Sequence, residues 1–294
     1  MTFKPLKMKR YFFLLFGLFL PFCLEAQEPT RYTLRDQGIE REYYLYLPEN
    51  LPENAPLVFS LHGYGGKALS VGKGLRDVAD KHGFAVCYPQ GVRDKLDRTC
   101  WNVGYIVQDD MKVDDVDFLC HLARHLQKKH RLSKENTFCT GLSNGGEMCY
   151  LLAYLRPETF AAVAPIAGLT LEWMYQELVP TRPVPVMEVH GTLDKTSWWN
   201  GNLQDDYWGN YIAVPMAVHL WAATARCTHE ETVLLPQKRN QVILHRYVNG
   251  TPAWKDGPAT EVWLYEVVGG NHSCSEKDMD TWEEVWKFFC KYLR

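Results

Sequence analysis

The sequence predicts an α/β fold with a mostly parallel central sheet and helices on both of its faces. Two observations carry that prediction. Short apolar runs alternate with spans whose apolar residues recur at helical spacing, the pattern of β-α units around a sheet buried on both faces. The residues able to do chemistry fall in loops directly after those runs, where parallel sheets gather their sites. The 294 residues are 46% hydrophobic and 23% charged, a globular composition. With no linker and no internal repeat in view, residues 27–294 read as a single domain.

The chain before residue 27 reads as an export signal. Lys4, Lys7, Lys9 and Arg10 precede an almost wholly apolar stretch over 11–24, and Leu24-Glu25-Ala26 ends on a small residue before polar sequence. That is the order of a signal peptide cleaved after Ala26, with the product periplasmic or extracellular. A membrane anchor fits less well, since a span needs about 20 apolar residues and Pro21 interrupts this run. Acylation of Cys23 fits less well too, because the bulky Phe22 precedes it.

The elements then follow in order. Residues 43–47 and 57–61 read as strands. Residues 69–82 read as a helix that Gly83 ends, and 84–88 as a strand stopped by Pro89. Residues 113–130 are helical, with Val116, Leu119, Cys120, Ala123 and Leu126 on one face. Residues 137–140 form a strand running into Gly141, 147–155 a helix, and 161–166 and 184–189 two further strands. Residues 214–224 read as a helix, 242–248 and 262–267 as strands, and 279–293 as the last helix.

Charge and cysteine content narrow the function. Lys and Arg number 32 against 35 Asp and Glu, a net charge of −3. Residues 1–26 hold four basic residues and one acidic one, so the remainder carries −6. A mildly acidic chain without a basic stripe is a poor nucleic-acid binder. Neither nucleic acid nor, once the signal is removed, a membrane is an expected partner. Of 9 Cys, one lies in the signal, and the even number left in an exported chain predicts disulfides. Cys120, Cys139 and Cys149 sit in strongly apolar segments and read as buried free thiols. Cys87, Cys100, Cys227 and Cys274, at element ends or in loops, are the disulfide candidates. No Cys-x-x-Cys spacing points to zinc, and no metal is expected.

The sharpest motif is Gly141-Leu142-Ser143-Asn144-Gly145, followed by Gly146. It matches Gly-x-Ser-x-Gly between a strand and a helix, the setting of a nucleophile elbow. Glycines permit the tight turn, because a Cβ there would collide with neighbouring backbone. The turn lifts the Ser143 hydroxyl to a helix N-terminus, which favours developing negative charge. A serine hydroxyl is a weak nucleophile and needs a base and a group to orient that base. Asp194 follows the strand over 184–189 and His272 follows the strand over 262–267, giving the chain order Ser, acid, His. Asp205 or Asp206 could supply the acid instead. His62 and His190, at strand ends, read as loop-ordering groups. His121 and His125, spaced as a metal pair would be, lie with Arg124 and Lys128 on a solvated helix face.

Acyl transfer places negative charge on a carbonyl oxygen, and each backbone N–H aimed at it is worth roughly 3 kcal/mol. One such donor is expected from Asn144, after the nucleophile. The other is expected from His62-Gly63-Tyr64-Gly65-Gly66, after the strand over 57–61, as the N–H of Tyr64. That loop is not a phosphate loop, for no Gly-Lys-Ser/Thr follows. Trp198, Trp199, Tyr207, Trp208 and Tyr211 cluster after Asp194, and Trp101 follows Cys100. Trp101, Trp198 and Trp199 are the expected substrate-binding faces, since flat rings stack on sugars or on a phenolic acid. The same aromatics could instead pack a lid or their own loop.

Leu61-His62-Gly63, Tyr88-Pro89, Val113-Asp114-Asp115-Val116, the glycine-flanked Ser143, His190-Gly191-Thr192-x-Asp194 and Gly269-Gly270-Asn271-His272 together resemble the secreted carbohydrate esterases of family one. That group includes feruloyl esterases, acetylxylan esterases and polyhydroxybutyrate-depolymerase-like esterases. The resemblance spans roughly residues 40–292. It implies an α/β-hydrolase fold, a Ser-Asp-His triad, no cofactor, and a polysaccharide-linked or small ester as substrate. Polyhydroxyalkanoate or a short-chain ester is the alternative within the group. A peptidase or a non-catalytic binding protein of the same fold is the alternative outside it. The sequence departs from the family at Tyr64, at Ser273-Cys274 after the histidine and in the loop over 195–201, all where substrate would lie.

Overall fold

In chain order the elements are β1 (Thr30–Asp36), β2 (Ile39–Tyr46), β3 (Leu57–Leu61), α1 (Lys73–His82), β4 (Ala85–Pro89), β5 (Val92–Arg93), β6 (Thr99–Cys100), α2 (Asp115–His130), β7 (Thr137–Leu142), α3 (Asn144–Leu155), β8 (Ala162–Ile166), α4 (Glu172–Glu177), β9 (Val186–Gly191), α5 (Val214–Thr224), β10 (His229–Leu234), β11 (Val242–Gly250), β12 (Thr260–Val267) and α6 (Thr281–Cys290). The structure, a computed structural model, describes residues 1–2 and 27–294. The expected signal segment, with Cys23, lies almost wholly outside the described residues. Every element read from the sequence is present, its ends displaced by a few residues. The sequence reading passed over β1, β10, α4 and the β5–β6 pair.

Ten strands form one sheet in the order β1-β2-β4-β3-β7-β8-β9-β12-β11-β10. The central neighbours, from β4 through β3, β7, β8 and β9 to β12, are all parallel. The hairpins β1–β2 and β10–β11 join antiparallel at the two sides. Strand order reverses at β3, which has β4 on one side and β7 on the other. The loops after β3 and β7 therefore open into the crevice where open α/β sheets place their ligands.

Alternation along the strands sends apolar side chains into two cores. Leu57, Phe59 and Leu61 of β3 join one core with Leu119 and Leu126 of α2, Met148 and Leu152 of α3 and Trp221 of α5. Val58 joins the other, with Leu75 of α1 and Val285, Phe288 and Phe289 of α6. The helices thus cover both faces, as expected. Local signals set their ends. Gly83, at φ +74°, caps α1 and donates its N–H to the Ala79 carbonyl. Asp114 caps α2 by accepting the Asp117 N–H at 2.8 Å. Among the described residues no helix is long and apolar enough to cross a membrane.

The disulfide expectation is corrected. Cys87, Cys100, Cys227 and Cys274 are free thiols, as are the other four described cysteines. Cys87 is buried within β4 and Cys100 within β6. The Cys100 sulfur sits 3.8 Å from Met111 Sδ, and Cys227 donates to the Thr260 carbonyl. Cys120, Cys139 and Cys149 are buried free thiols, as read.

Candidate active site

Ser143 sits between β7 and α3 at φ +56°, ψ −123°, a backbone conformation costly for a residue with a side chain. The surroundings hold it there. Its N–H donates to the Ile166 carbonyl at 2.8 Å. A Cβ on Gly145 would lie 2.5 Å from the Leu61 carbonyl oxygen, and one on Gly141 2.6 Å from Gly145 backbone. Only glycines let β3, β7 and α3 approach so closely. The Ser143 hydroxyl makes no hydrogen bond among the described residues.

The loop after β3 closes on the elbow. The Gly65 N–H donates to the Thr99 carbonyl and the Gly66 N–H to that of Gly63, while the N–H of Tyr64 has no acceptor among the described residues. The same is true of Asn144, first residue of α3. Trp101 clamps both segments. Its indole N–H donates to the His62 carbonyl at 2.9 Å, its backbone N–H to Asn144 Oδ1 at 2.7 Å, and its carbonyl accepts from Asn144 Nδ2 at 3.0 Å. Trp101 is fully buried, which corrects its expected role. It offers no face to a substrate and instead ties Asn144 to the loop of Tyr64. His62 does order its loop. Its Nε2 accepts the Gly91 N–H at 2.9 Å, so its Nδ1 carries the proton and donates to the Gly63 carbonyl. Burial pushes this imidazole down to about 4, although the Gly63 carbonyl pulls the other way.

Asp194 and His272 meet at the ends of β9 and β12. His272 Nδ1 lies 2.7 Å from Asp194 Oδ2. Asp194 Oδ1 accepts the N–H groups of Thr196 and Ser197, both at 2.8 Å. Burial alone would raise this carboxyl, but the hydrogen bond to His272, the nearby His190 and these donors outweigh it and hold it below its ordinary value. The two loops are sewn together, with the Leu193 N–H donating to the Gly270 carbonyl and the Gly269 N–H to Thr192 Oγ1. Asp205 has a different task, accepting the N–H groups of Tyr207 and Trp208 in its own turn. The geometry therefore gives His272 to Asp194. No hydrogen bond occupies His272 Nε2 among the described residues.

Trp198 is half exposed, and its indole N–H donates to the Lys195 carbonyl at 3.1 Å. With Trp199, Leu193 and Asp194 it lines a cavity of about 440 Å³. Tyr64 instead packs edge-on against Tyr105, Tyr207 and Trp208, and its hydroxyl bonds Asp94. His121 pairs with Asp36 at 2.7 Å on a half-exposed helix face.

Three buried acidic side chains brace the site, one of them, Asp115, within a motif read from the sequence and two, Glu147 and Glu188, not singled out there. Asp115 accepts from Arg41 Nη2 at 2.6 Å and from the Asn102 N–H at 2.8 Å, anchoring the segment that carries Trp101. Glu147, on α3, accepts from the Tyr105 hydroxyl and the Leu169 N–H. Glu188, in the middle of β9, bonds Tyr150 and His190. For Glu147 and Glu188 the available signal is an acidic residue inside an apolar run.

Residues 41–178 match the family model described as esterase PHB depolymerase. Over 172 residues, 56% of this chain, it is 34% identical to a protein of Nocardia uniformis subsp. tsuyamanensis named as an esterase, NocK. A feruloyl esterase B of Thermothelomyces thermophilus is 22% identical over 92% of this chain and 97% of its own length. The solved acetyl xylan esterase from Aspergillus awamori superposes with a TM-score of 0.63 over 89% of this chain and 99% of that one, at 15% identity. The chain spans 48% or less of the length of three curated relatives that it matches. The resemblance carried by the motifs is thereby borne out: the chain has the α/β-hydrolase fold, and its residues 41–178 match the esterase PHB depolymerase family.

Proposed function

We propose that the chain is an exported serine esterase whose residues 27–294 act as one domain once residues 1–26 are removed. Ser143 Oγ attacks the ester carbonyl while His272 Nε2 takes its proton. Asp194 holds the imidazole through Nδ1 and balances the charge that forms on it. The N–H groups of Tyr64 and Asn144 receive the oxyanion. His272 then protonates the departing alcohol. Water, deprotonated by the same nitrogen, releases the acid from the acyl-enzyme and restores Ser143.

One observation carries this reading. A serine held at φ +56° on a strand-to-helix turn shares a sheet edge with an aspartate–histidine pair 2.7 Å apart. The substrate we propose is an acetyl or feruloyl ester on plant cell-wall polysaccharide, the ester types named for the relatives above. Trp198 and Trp199 supply the ring-stacking face. A polyester is the second reading, favoured by the family's description and by the exposed apolar Leu193 and Trp198 beside Asp194.

Initial rates on methyl ferulate and p-nitrophenyl acetate, with Ser143→Ala beside the unaltered protein, test the reading. The variant should lose on the order of 10⁴-fold or more. The ratio of the two rates on the unaltered protein separates feruloyl from acetyl preference. Equal rates in both proteins would remove Ser143 from the mechanism.

A further inference from the structure

Behind Asp194 lies a buried network that the proposed chemistry does not use. His190, near the end of β9, is fully buried. Its Nδ1 lies 2.9 Å from Glu188 Oε1 and its Nε2 2.8 Å from the Ser197 carbonyl oxygen. Both neighbours are acceptors, so both ring nitrogens must donate. The proton could sit on Glu188 instead, but that carboxylate is itself surrounded by donors. Oε2 accepts from the Tyr150 hydroxyl at 2.9 Å, and Oε1 accepts from the Gly168 N–H at 3.3 Å. Burial pushes this carboxyl up, but these two donors, and the imidazole 2.9 Å away, pull toward its ionised form.

We propose that His190 is a doubly protonated imidazolium, clamped by Glu188 and the Ser197 carbonyl, and that it is the positioning residue for Asp194. Its Nε2 stands 3.7 Å from Asp194 Oδ2, the oxygen that also faces His272. By holding the Ser197 carbonyl it fixes the turn whose N–H groups bind Asp194 Oδ1. The acid end of the site is then a line of alternating charge, Glu188, His190, Asp194, His272. The groups facing this line are few. Tyr150, Glu147 and Cys149 approach from α3, and Trp199 lies edge-on to the ring. Glu266, level with His190 on β12, is engaged by His245. Burial by itself would lower the His190 imidazolium, and Glu188, the Ser197 carbonyl and Asp194 together outweigh it and raise it.

The functional half of this inference rests on the esterase reading, but the charge state does not. Two-bond ¹H–¹⁵N spectra of the unaltered protein, with His190 assigned by difference from His190→Gln, should show both ring nitrogens protonated near neutral pH. In Glu188→Gln one of the two protons should be lost. A single protonated nitrogen in the unaltered protein would overturn the proposal whether or not the protein hydrolyses esters. The functional readout is kcat/KM against pH for His190→Gln and Glu188→Gln. Removing a positive charge beside the Asp194–His272 pair makes protonated His272 easier to form, so the acid limb should move to higher pH. The rate at the plateau should fall roughly tenfold, far short of the ~10⁴-fold loss expected when the acid's own hydrogen bond is removed. A fall in rate with an unmoved acid limb would leave His190 a packing residue, and unchanged profiles would remove its role altogether. Inertness of the unaltered protein toward esters and a fluorophosphonate probe would sink the esterase reading, while the spectra would still decide the charge state.

Discussion

The loops after β3 and β7 and the loops after β9 and β12 hold the groups of the proposed site by different means. At the first pair the work is done by backbone. Ser143 is forced into place by glycines that let Leu61, Gly145 and Ile166 close around it, and the N–H groups of Tyr64 and, at the start of α3, of Asn144 have no acceptor among the described residues. At the second pair the work is done by buried side-chain charge. Asp194 is aimed by two N–H groups, by His272 and, behind it, by His190 and Glu188. Backbone geometry gives an all-or-nothing site, sensitive to a single added carbon. A charge network gives a graded one, in which moving a single proton changes how its members are aimed.

The sharpest break in the comparison is Gly145→Ala. Its methyl group would meet the Leu61 carbonyl at 2.5 Å, and neither backbone can withdraw without opening the elbow. The expected cost is about 3 kcal/mol of stability, and an ångström of displacement at Ser143 should cut turnover on the order of 10²-fold. Urea denaturation and the rate of fluorophosphonate labelling would measure both. An unchanged denaturation midpoint would mean the elbow is softer than its geometry implies.

Next in size is a pH effect on the backbone-built side. The folded protein holds His62 near 4 against an ordinary 6.5. Between those values the unfolded chain binds the proton and the folded one does not, so stability rises with pH. The contribution is complete above pH 6.5 and lost as pH falls toward 4, a change of about 3 kcal/mol. Denaturation midpoints taken across that window should fall steeply for the unaltered protein and less steeply for His62→Gln. Parallel slopes would show that His62 is not held neutral.

The smallest expected effect is at Trp198. Its half-exposed ring, fixed by the Lys195 carbonyl, should contribute about 1 kcal/mol to holding a polymeric substrate. Trp198→Ala should then raise KM on acetylated or feruloylated xylan roughly fivefold. An unchanged KM would leave the ring a packing element of its loop.

The same contrast explains what could be read from the sequence. β3, β7, β8 and β9 are short apolar runs because both faces of each are buried, and the motifs at their ends follow from turn geometry that only certain residues permit. β10 was passed over because it is an edge strand with every residue exposed, and β1, also at an edge, carries Arg31, Arg35 and Asp36 in place of an apolar run. α4 is six residues long, too short for a helical period to show. Trp101 was misread because an aromatic in a loop gives no local sign of being buried. Glu188 and Glu147 were overlooked for the opposite reason: their apolar neighbours were read as strand and helix, and the carboxylate within each was passed by.

β10 ends the sheet, and its outer N–H and C=O groups offer a hydrogen-bonding ladder to any extended peptide, the route by which sheet proteins polymerise. Val233 and Leu234, both exposed, would welcome such a guest. Glu230 and Glu231 would not, since a second copy laid antiparallel along this rim can bring carboxylate level with carboxylate. Within the fold these two residues reach back to β11, Glu231 to Arg246 at 2.9 Å and Glu230 to His245 at 3.6 Å. The side chains that fasten the outermost strand to its neighbour are thus the ones that keep a foreign strand off it.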